Sequence, residues 1–182
     1  MANLVPQRNT AQLAVTDDSR QYLTFTLGAE AFAVGILNVR EIIEYGALTE
    51  IPMMPGFIRG VINLRGAAVP VIDLATRFGG QQTSLGRRTC IVIIEMQLAG
   101  AAAPQDIGII VDCVNEVLEI PAADIEPPPS FGSSIRADFI HGMGKVAGKF
   151  VIILNIARVL SVDEMALLVN ASESGSPESM AV

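Results

Sequence analysis

The sequence predicts an all-β protein built from two copies of one small barrel or sandwich. Residues 39–44 recur 75 residues later as residues 114–119, and residues 57–60 recur 82 residues later as residues 139–142. Several matches in the same order indicate a duplicated unit. The difference between the two shifts fits one longer loop in the second copy.

Composition indicates a globular chain. Of 182 residues, 51% are hydrophobic and 17% are charged. The apolar runs are short and interrupted, whereas a membrane helix needs about 20 consecutive apolar residues. No charged start is followed by an apolar segment and a cleavage site. We therefore expect a soluble cytoplasmic protein without direct membrane insertion.

Charge and the counts of histidine and cysteine argue against several functions. A net charge of −7, no tryptophan and 5% aromatic residues disfavour a nucleic-acid partner. His141 is the only histidine, so neither a histidine-based triad nor a multi-histidine metal site is expected. Cys90 and Cys113 lie in apolar runs without CxxC spacing, which favours buried thiols over a redox pair. We expect no metal and no cofactor.

Five strands are expected in the first copy, which we place at residues 20–80 as barrel one. Alternating apolar residues begin the copy, and Gly28 lies in a hairpin turn. The strands are expected near residues 22–27, 32–36, 39–45, 58–64 and 68–72. Asp73 is expected to cap one helical turn. Gly79 and Gly80 end the copy.

Five further strands are expected in barrel two, residues 81–160. They are expected at residues 88–96, 107–114, 115–120, 139–146 and 149–154. Asn155 is the counterpart of the capping aspartate. Proline-rich residues 121–137 predict a long loop, and a capping box predicts a short C-terminal helix at residues 161–170. Polar, aperiodic sequence predicts flexible tails at residues 1–19 and 171–182.

The glycine-rich run at residues 141–149 has two possible interpretations. Glycine amides and Lys149 could bind phosphate, but only three residues separate Gly144 from Gly148, and Phe150 replaces the Ser or Thr of a phosphate loop. A hairpin between two strands is therefore favoured over a nucleotide site. No GxSxG, HExxH or EF-hand pattern occurs, so we expect a protein that is not an enzyme.

Residues 39–44 suggest a protein-binding surface. Strand alternation places Val39, Glu41 and Ile43 on one face. Burying an unpaired glutamate is costly, so Glu41 is expected at the surface, with Val39 and Ile43 exposed beside it. An apolar patch around a charge suits a specific protein contact. The alternative is an edge strand whose Val and Ile are exposed incidentally.

A second candidate group follows in the next strand. Alternation directs Arg59, Asn63 and Arg65 outward before the turn at Gly66, where arginine can form bidentate contacts with a partner carboxylate. In the second copy the position of Arg65 is occupied by Ala147. An arginine present in one copy only favours a binding role over a folding role. A solvated charge without a partner remains the alternative.

Five segments resemble the chemotaxis coupling protein (CheW) family: QYLTFTLG at 21–28, GILNVREI at 35–42, FIRGVINLRG at 57–66, VPVIDL at 69–74 and EMALL at 164–168. The resemblance covers about residues 20 to 168. It implies two SH3-like five-stranded β-barrels packed on a shared core, with a short C-terminal helix. It also implies a non-enzymatic adaptor that couples transmembrane chemoreceptors to the chemotaxis histidine kinase in signalling arrays.

The resemblance further implies partners and a site. The partners would be the regulatory domain of the histidine kinase (CheA) and the cytoplasmic tips of the receptors. Glu41 and Arg65 match residues implicated in partner binding, and Val39, Gly60 and Gly66 would support that surface. The groove between the barrels would take the helical tip of the receptor, and the protein would be recruited to arrays at the inner face of the membrane.

Two alternatives stay open. The chain could serve a chemosensory pathway that does not control motility, or it could be a β-barrel that binds a small molecule between its halves. Residues 112–115 read Asp-Cys-Val-Asn where the family often has Asp-Gly-Val-Ser. This departure leaves the details of the groove open.

Overall fold

The computed structural model describes residues 19–97, 102–128 and 137–160. Its strands are β1 (Ser19–Leu27), β2 (Glu30–Gly35), β3 (Val39–Glu44), β4 (Ile58–Leu64), β5 (Ala67–Asp73), β6 (Cys90–Met96), β7 (Gln105–Val111), β8 (Cys113–Pro121), β9 (Ile125–Glu126), β10 (Ile140–Val146) and β11 (Lys149–Leu154). Two single-turn helices are α1 (Leu74–Arg77) and α2 (Ile156–Val159). The described part of the chain is thus mostly β, as predicted.

The strands form two sheets with the same internal order. Sheet one runs β8-β1-β2-β11-β10-β9, and sheet two runs β3-β6-β7-β5-β4. The sequence repeat pairs β3 with β8, β2 with β7, β4 with β10 and β5 with β11. If these four pairs are exchanged and β6, the hairpin partner of β7, is matched with β1, the hairpin partner of β2, the order of sheet two becomes that of the first five strands of sheet one. The duplication seen in the sequence is therefore a duplication of the sheet.

The expected boundary between residues 20–80 and residues 81–160 does not separate the sheets. The β1–β2 hairpin belongs to sheet one, beside strands of the second copy, whereas β6 and β7 belong to sheet two. A 3₁₀ turn at Ile36–Asn38 carries the chain from β2 in one sheet to β3 in the other. At the equivalent place, Asp112 separates β7 from β8. The two copies therefore exchange hairpins.

Sheet one contains a sixth strand that was not expected. The predicted loop over residues 121–137 includes a 3₁₀ turn at Ala122–Asp124 and the two-residue strand β9, which pairs with β10. Sheet two has a smaller counterpart, an isolated bridge between Thr49 and Val61 of β4. Only two residues pair in β9, so the sequence offers little alternation from which to predict it.

A shared core lies between the sheets. The largest buried cluster draws side chains from both sheets and both helices, while each sheet also has a smaller core of its own. Four aromatic rings cross the shared core, with centroid distances of 5.7 to 6.1 Å between successive rings; they belong to Phe25, Phe32, Phe78 and Phe139. These features fit the predicted pair of SH3-like barrels.

Several local predictions are confirmed. The Asp73 side chain accepts a hydrogen bond from the Ala75 amide at the start of α1, and Asn155 accepts one from the Arg158 amide in α2. The glycine-rich run at residues 141–149 joins β10 to β11 as a hairpin. Strand β1 begins at Ser19, inside the predicted tail. The predicted C-terminal helix and the rest of the predicted tails lie outside the described residues.

Candidate functional site

The structure brings Glu41 and Arg65 together. Glu41 lies in β3 and Arg65 follows β4, and these strands are the two edges of sheet two. Arg65 Nη2 donates a hydrogen bond to Glu41 Oε2 at 3.1 Å. The Arg65 side chain is 72% exposed and that of Glu41 is 24% exposed. The two candidates therefore form one ion pair, which links the two edge strands of sheet two.

Asn63 and Gly66 shape the turn that presents Arg65. Arg65 and Gly66 both have positive φ values, 51° and 85°, as expected for a two-residue hairpin turn. The Gly66 amide donates a hydrogen bond to Asn63 Oδ1 at 2.8 Å. Glycine adopts this conformation without a steric penalty, whereas arginine does so at a cost. The turn places Arg65 at the surface, as alternation predicted.

The exposed apolar patch expected around Glu41 is absent, and that prediction is wrong. Val39 packs against the shared core, and Ile43 packs against the core of sheet two. The opposite face of β3 is the exposed one, and its apolar residue, Ile42, is 42% exposed. Pairing with Arg65 offsets the cost of placing the Glu41 carboxylate on the inward face.

Arg59 also departs from its expected position. Its side chain is only 17% exposed, and Nη1 lies 3.7 Å from Oδ2 of the buried Asp73. The register between β4 and β5 shifts next to Arg59, but burial still alternates there, since Ile58 and Gly60 are buried and Arg59 is partly buried. Neighbouring Gly60 is needed for packing, because a Cβ atom there would collide with the Thr49 carbonyl oxygen. Arg59 and Gly60 thus support the barrel from within.

A groove of about 960 Å³ lies between the two sheets. Its walls include residues of β1, the end of β6, the 3₁₀ turn after β2 and the start of α2. Leu37 lines this groove and is 97% exposed, and the charged lining residues are Arg20, Glu95 and Glu119. Sequence reasoning did not single out Leu37, which lies between the strands expected at residues 32–36 and 39–45. The groove offers an apolar contact beside charges of both signs.

Other candidate chemistry gains no support from geometry. Cys90 and Cys113 are both free and half-buried. Burial raises the pKa of the Cys90 thiol, and the Glu44 carboxylate adds to the rise. Within the described ranges, no group of three or more His, Cys, Asp or Glu side chains could hold a metal ion. None of the helices in those ranges is long and apolar enough to cross a membrane.

Comparison with known proteins places the chain in a family. A family model described as the CheW-like domain matches residues 21–164. The chain is 35% identical to the chemotaxis protein CheW of Klebsiella aerogenes over 164 residues, covering 90% of this chain and 95% of that protein. It is 30% identical to the protein FrzA of Myxococcus xanthus, covering 86% and 94%.

A solved structure agrees with this placement. The scaffolding protein TtCheW from Thermoanaerobacter tengcongensis is 36% identical and superimposes with a TM-score of 0.70, covering 80% of this chain and 90% of that one. Sequence and fold similarity therefore extend over most of both chains. The chain belongs to the CheW-like family.

Proposed function

We propose that this protein is a non-enzymatic adaptor that couples transmembrane chemoreceptors to the chemotaxis histidine kinase. The observation that carries this proposal is the difference between two equivalent surfaces. Sheet two presents the Glu41–Arg65 ion pair, while the equivalent positions of sheet one hold Glu116 and Ala147. One molecule thus offers two related but unlike exteriors, which suits simultaneous contact with two partners.

The groove between the sheets is the proposed receptor site. A helical hairpin tip has apolar side chains at helical spacing, and such a surface fits a groove with an apolar residue at its wall. Leu37 is the residue best placed to enter such an interface, because it is almost fully exposed. The charges of Arg20 and Glu119 would set the orientation of the receptor helices in the groove.

The second proposed contact surface contains Arg65 with Glu41, Asn63 and Gly66. Arg65 can form a bidentate contact with a partner carboxylate, since its guanidinium is largely exposed. Contacts of moderate size would give affinities of about micromolar for each interface, and multiple binding in an array would add roughly 100-fold or more. The protein would act in the cytoplasm and be recruited to receptor arrays.

Calorimetric titration tests this function. The chain is titrated with the regulatory domain of the histidine kinase and, separately, with a soluble fragment carrying a receptor tip. We expect both partners to bind. Leu37→Asp should weaken binding of the receptor fragment about tenfold or more and leave binding of the kinase domain unchanged. Binding of neither partner, together with a large thermal shift by a metabolite, would instead support a small-molecule-binding barrel.

A further inference from the structure

The charged residues that line the groove between the sheets have different surroundings. They are Arg20, Glu95 and Glu119. Glu95 Oε2 accepts a hydrogen bond from Arg40 Nη1 at 2.7 Å, and the same nitrogen lies 3.2 Å from Asp106 Oδ1. Glu119 also has an interaction partner of its own. Both acidic residues of the groove lining are therefore already engaged in the free protein.

Arg20 differs from both acidic residues. It is exposed near the start of β1, and within the described ranges its side chain forms no ion pair and no hydrogen bond. The chain as a whole carries a net charge of −7, so this unpaired arginine is a local exception to the negative charge of the protein. The groove therefore presents an uncommitted cation to a molecule that binds in it.

Arg20 lies beside the exposed Leu37. The last residue pair at this end of the β1–β2 hairpin is Tyr22 with Gly35. Arg20 lies two residues before Tyr22, Leu37 lies two residues after Gly35, and the 3₁₀ turn that contains Leu37 contacts β1. Side chains three or four positions apart on a helix lie on one face, about 5 to 6 Å apart, so one face of a bound helix can contact both residues.

We propose that Arg20 binds a carboxylate of the receptor tip, and that this carboxylate lies within one helical turn of the apolar side chain that packs on Leu37. This inference rests on the proposed adaptor function and names the chemistry that its receptor site selects. A guanidinium can bind a carboxylate through two parallel hydrogen bonds, which fix the direction of the partner group as well as its position. A bound helix also displaces water from the groove, which strengthens this contact relative to a fully solvated ion pair.

Charge reversal on the full chain tests the proposal. We expect Arg20→Glu to weaken calorimetric binding of the receptor-tip fragment about tenfold or more and to leave binding of the kinase regulatory domain unchanged. The matched control is Arg88→Glu, which makes the same change of charge at an exposed arginine outside the groove lining and should bind both partners as wild type does. Circular dichroism checks that each variant folds. Equal binding of the fragment by Arg20→Glu and wild type would overturn the proposal.

Glu95→Gln tests the sign of the charge that the groove selects. Because Arg40 already neutralises Glu95, we expect this variant to change the affinity for the receptor fragment by less than about twofold. A loss as large as that of Arg20→Glu would show that the tip presents a cation instead. Added salt should weaken the binding of wild type more steeply than that of Arg20→Gln, since salt screens an ion pair. Equal salt dependence would contradict a direct ion pair at Arg20.

A rescue experiment identifies the carboxylate. Each aspartate or glutamate of the receptor-tip fragment is replaced by lysine in turn. One replacement should weaken the binding of wild type and strengthen that of Arg20→Glu, and it should lie within one helical turn of an apolar residue that is also needed for binding. Failure of every replacement to rescue Arg20→Glu would overturn the proposal. If wild type does not bind the unmodified fragment, the proposed function fails, whereas tight binding that is insensitive to Arg20 overturns only this inference.

Discussion

The buried carboxylate of Asp73 joins three segments of the chain. It caps α1 through the Ala75 amide at 3.1 Å, and it accepts hydrogen bonds from the Thr83 amide and hydroxyl at 2.8 and 2.7 Å. The Arg59 guanidinium lies 3.7 Å away. One fully buried side chain thus fixes the helix and the loop that follows it.

Asp73→Ala should lower the free energy of unfolding by about 3 kcal/mol, because it leaves buried donors and a half-buried cation without their acceptor. The matched control is Asn155→Ala, at the equivalent cap of α2, which should cost about 1 kcal/mol. Denaturant unfolding of both variants measures the difference. Equal losses for the two variants would contradict this account of Asp73.

The thiol of Cys90 predicts a dependence of stability on pH. Because burial raises its pKa above the ordinary value of 9.0, the folded protein holds this proton more tightly than the unfolded chain does. The associated stability is complete below the unfolded pKa and is lost as the pH rises through the folded pKa. As the pH rises above 9.0, wild type should lose stability more steeply than Cys90→Ser in denaturant unfolding. Parallel curves would refute this role of Cys90.

Residue-scale prediction from the sequence succeeded where strand alternation holds. Asn63 and Arg65 lie outward as alternation indicates, whereas Arg59 on the same face of β4 is largely buried beside Asp73. The inward position of Glu41 depends on a partner 24 residues away in the chain. Spacing within one strand cannot reveal such a contact, so the exposed patch was predicted wrongly.

At the scale of elements, the repeat predicts local geometry closely. The turns at Arg65–Gly66 and Ala147–Gly148 both have two consecutive positive φ values. The register also shifts at equivalent places, between Ile58 and Gly60 in β4 and between Ile140 and Gly142 in β10. Because both copies have these distortions at equivalent positions, the distortions are part of the repeated unit.

Ala147→Asn should therefore stabilise the protein. Asparagine tolerates the left-handed conformation better than alanine, and Asn-Gly is the favoured pair for this kind of hairpin turn. We expect a gain of about 0.5 kcal/mol in denaturant unfolding. Ala147→Val, which introduces a β-branched residue at positive φ, should destabilise instead. A loss of stability in Ala147→Asn would contradict the assigned turn geometry.

For the whole molecule, sequence alone predicted the number of copies but not which strands share a sheet. The repeat shows which strands are equivalent. It does not show which strands pair, because the parallel pairs β2–β11 and β5–β7 join residues more than 35 positions apart.

Arg77 contacts both copies of the repeat. Its guanidinium lies 5.1 Å from the ring centre of Phe57 and 4.6 Å from that of Phe139, which are repeat equivalents.

The exchange of hairpins predicts that neither half folds alone. Fragments 19–80 and 81–160 each lack strands of both sheets, so each should give the spectrum of an unfolded chain. Mixed together, they should recover β structure, since every strand of the two sheets is then present. Circular dichroism and NMR of the separate and mixed fragments measure this. Cooperative unfolding of either isolated half would show that the sheets do not depend on the exchange.

Co-sedimentation tests the central claim, that one molecule holds a receptor and the kinase at once. Receptor-bearing membranes are sedimented with the histidine kinase in the presence of wild type, Arg65→Glu or the matched control Ala147→Glu. We expect wild type and Ala147→Glu to carry the kinase into the pellet, and Arg65→Glu to leave it in the supernatant although this variant still folds. Equal amounts of pelleted kinase with and without the protein would contradict the adaptor function.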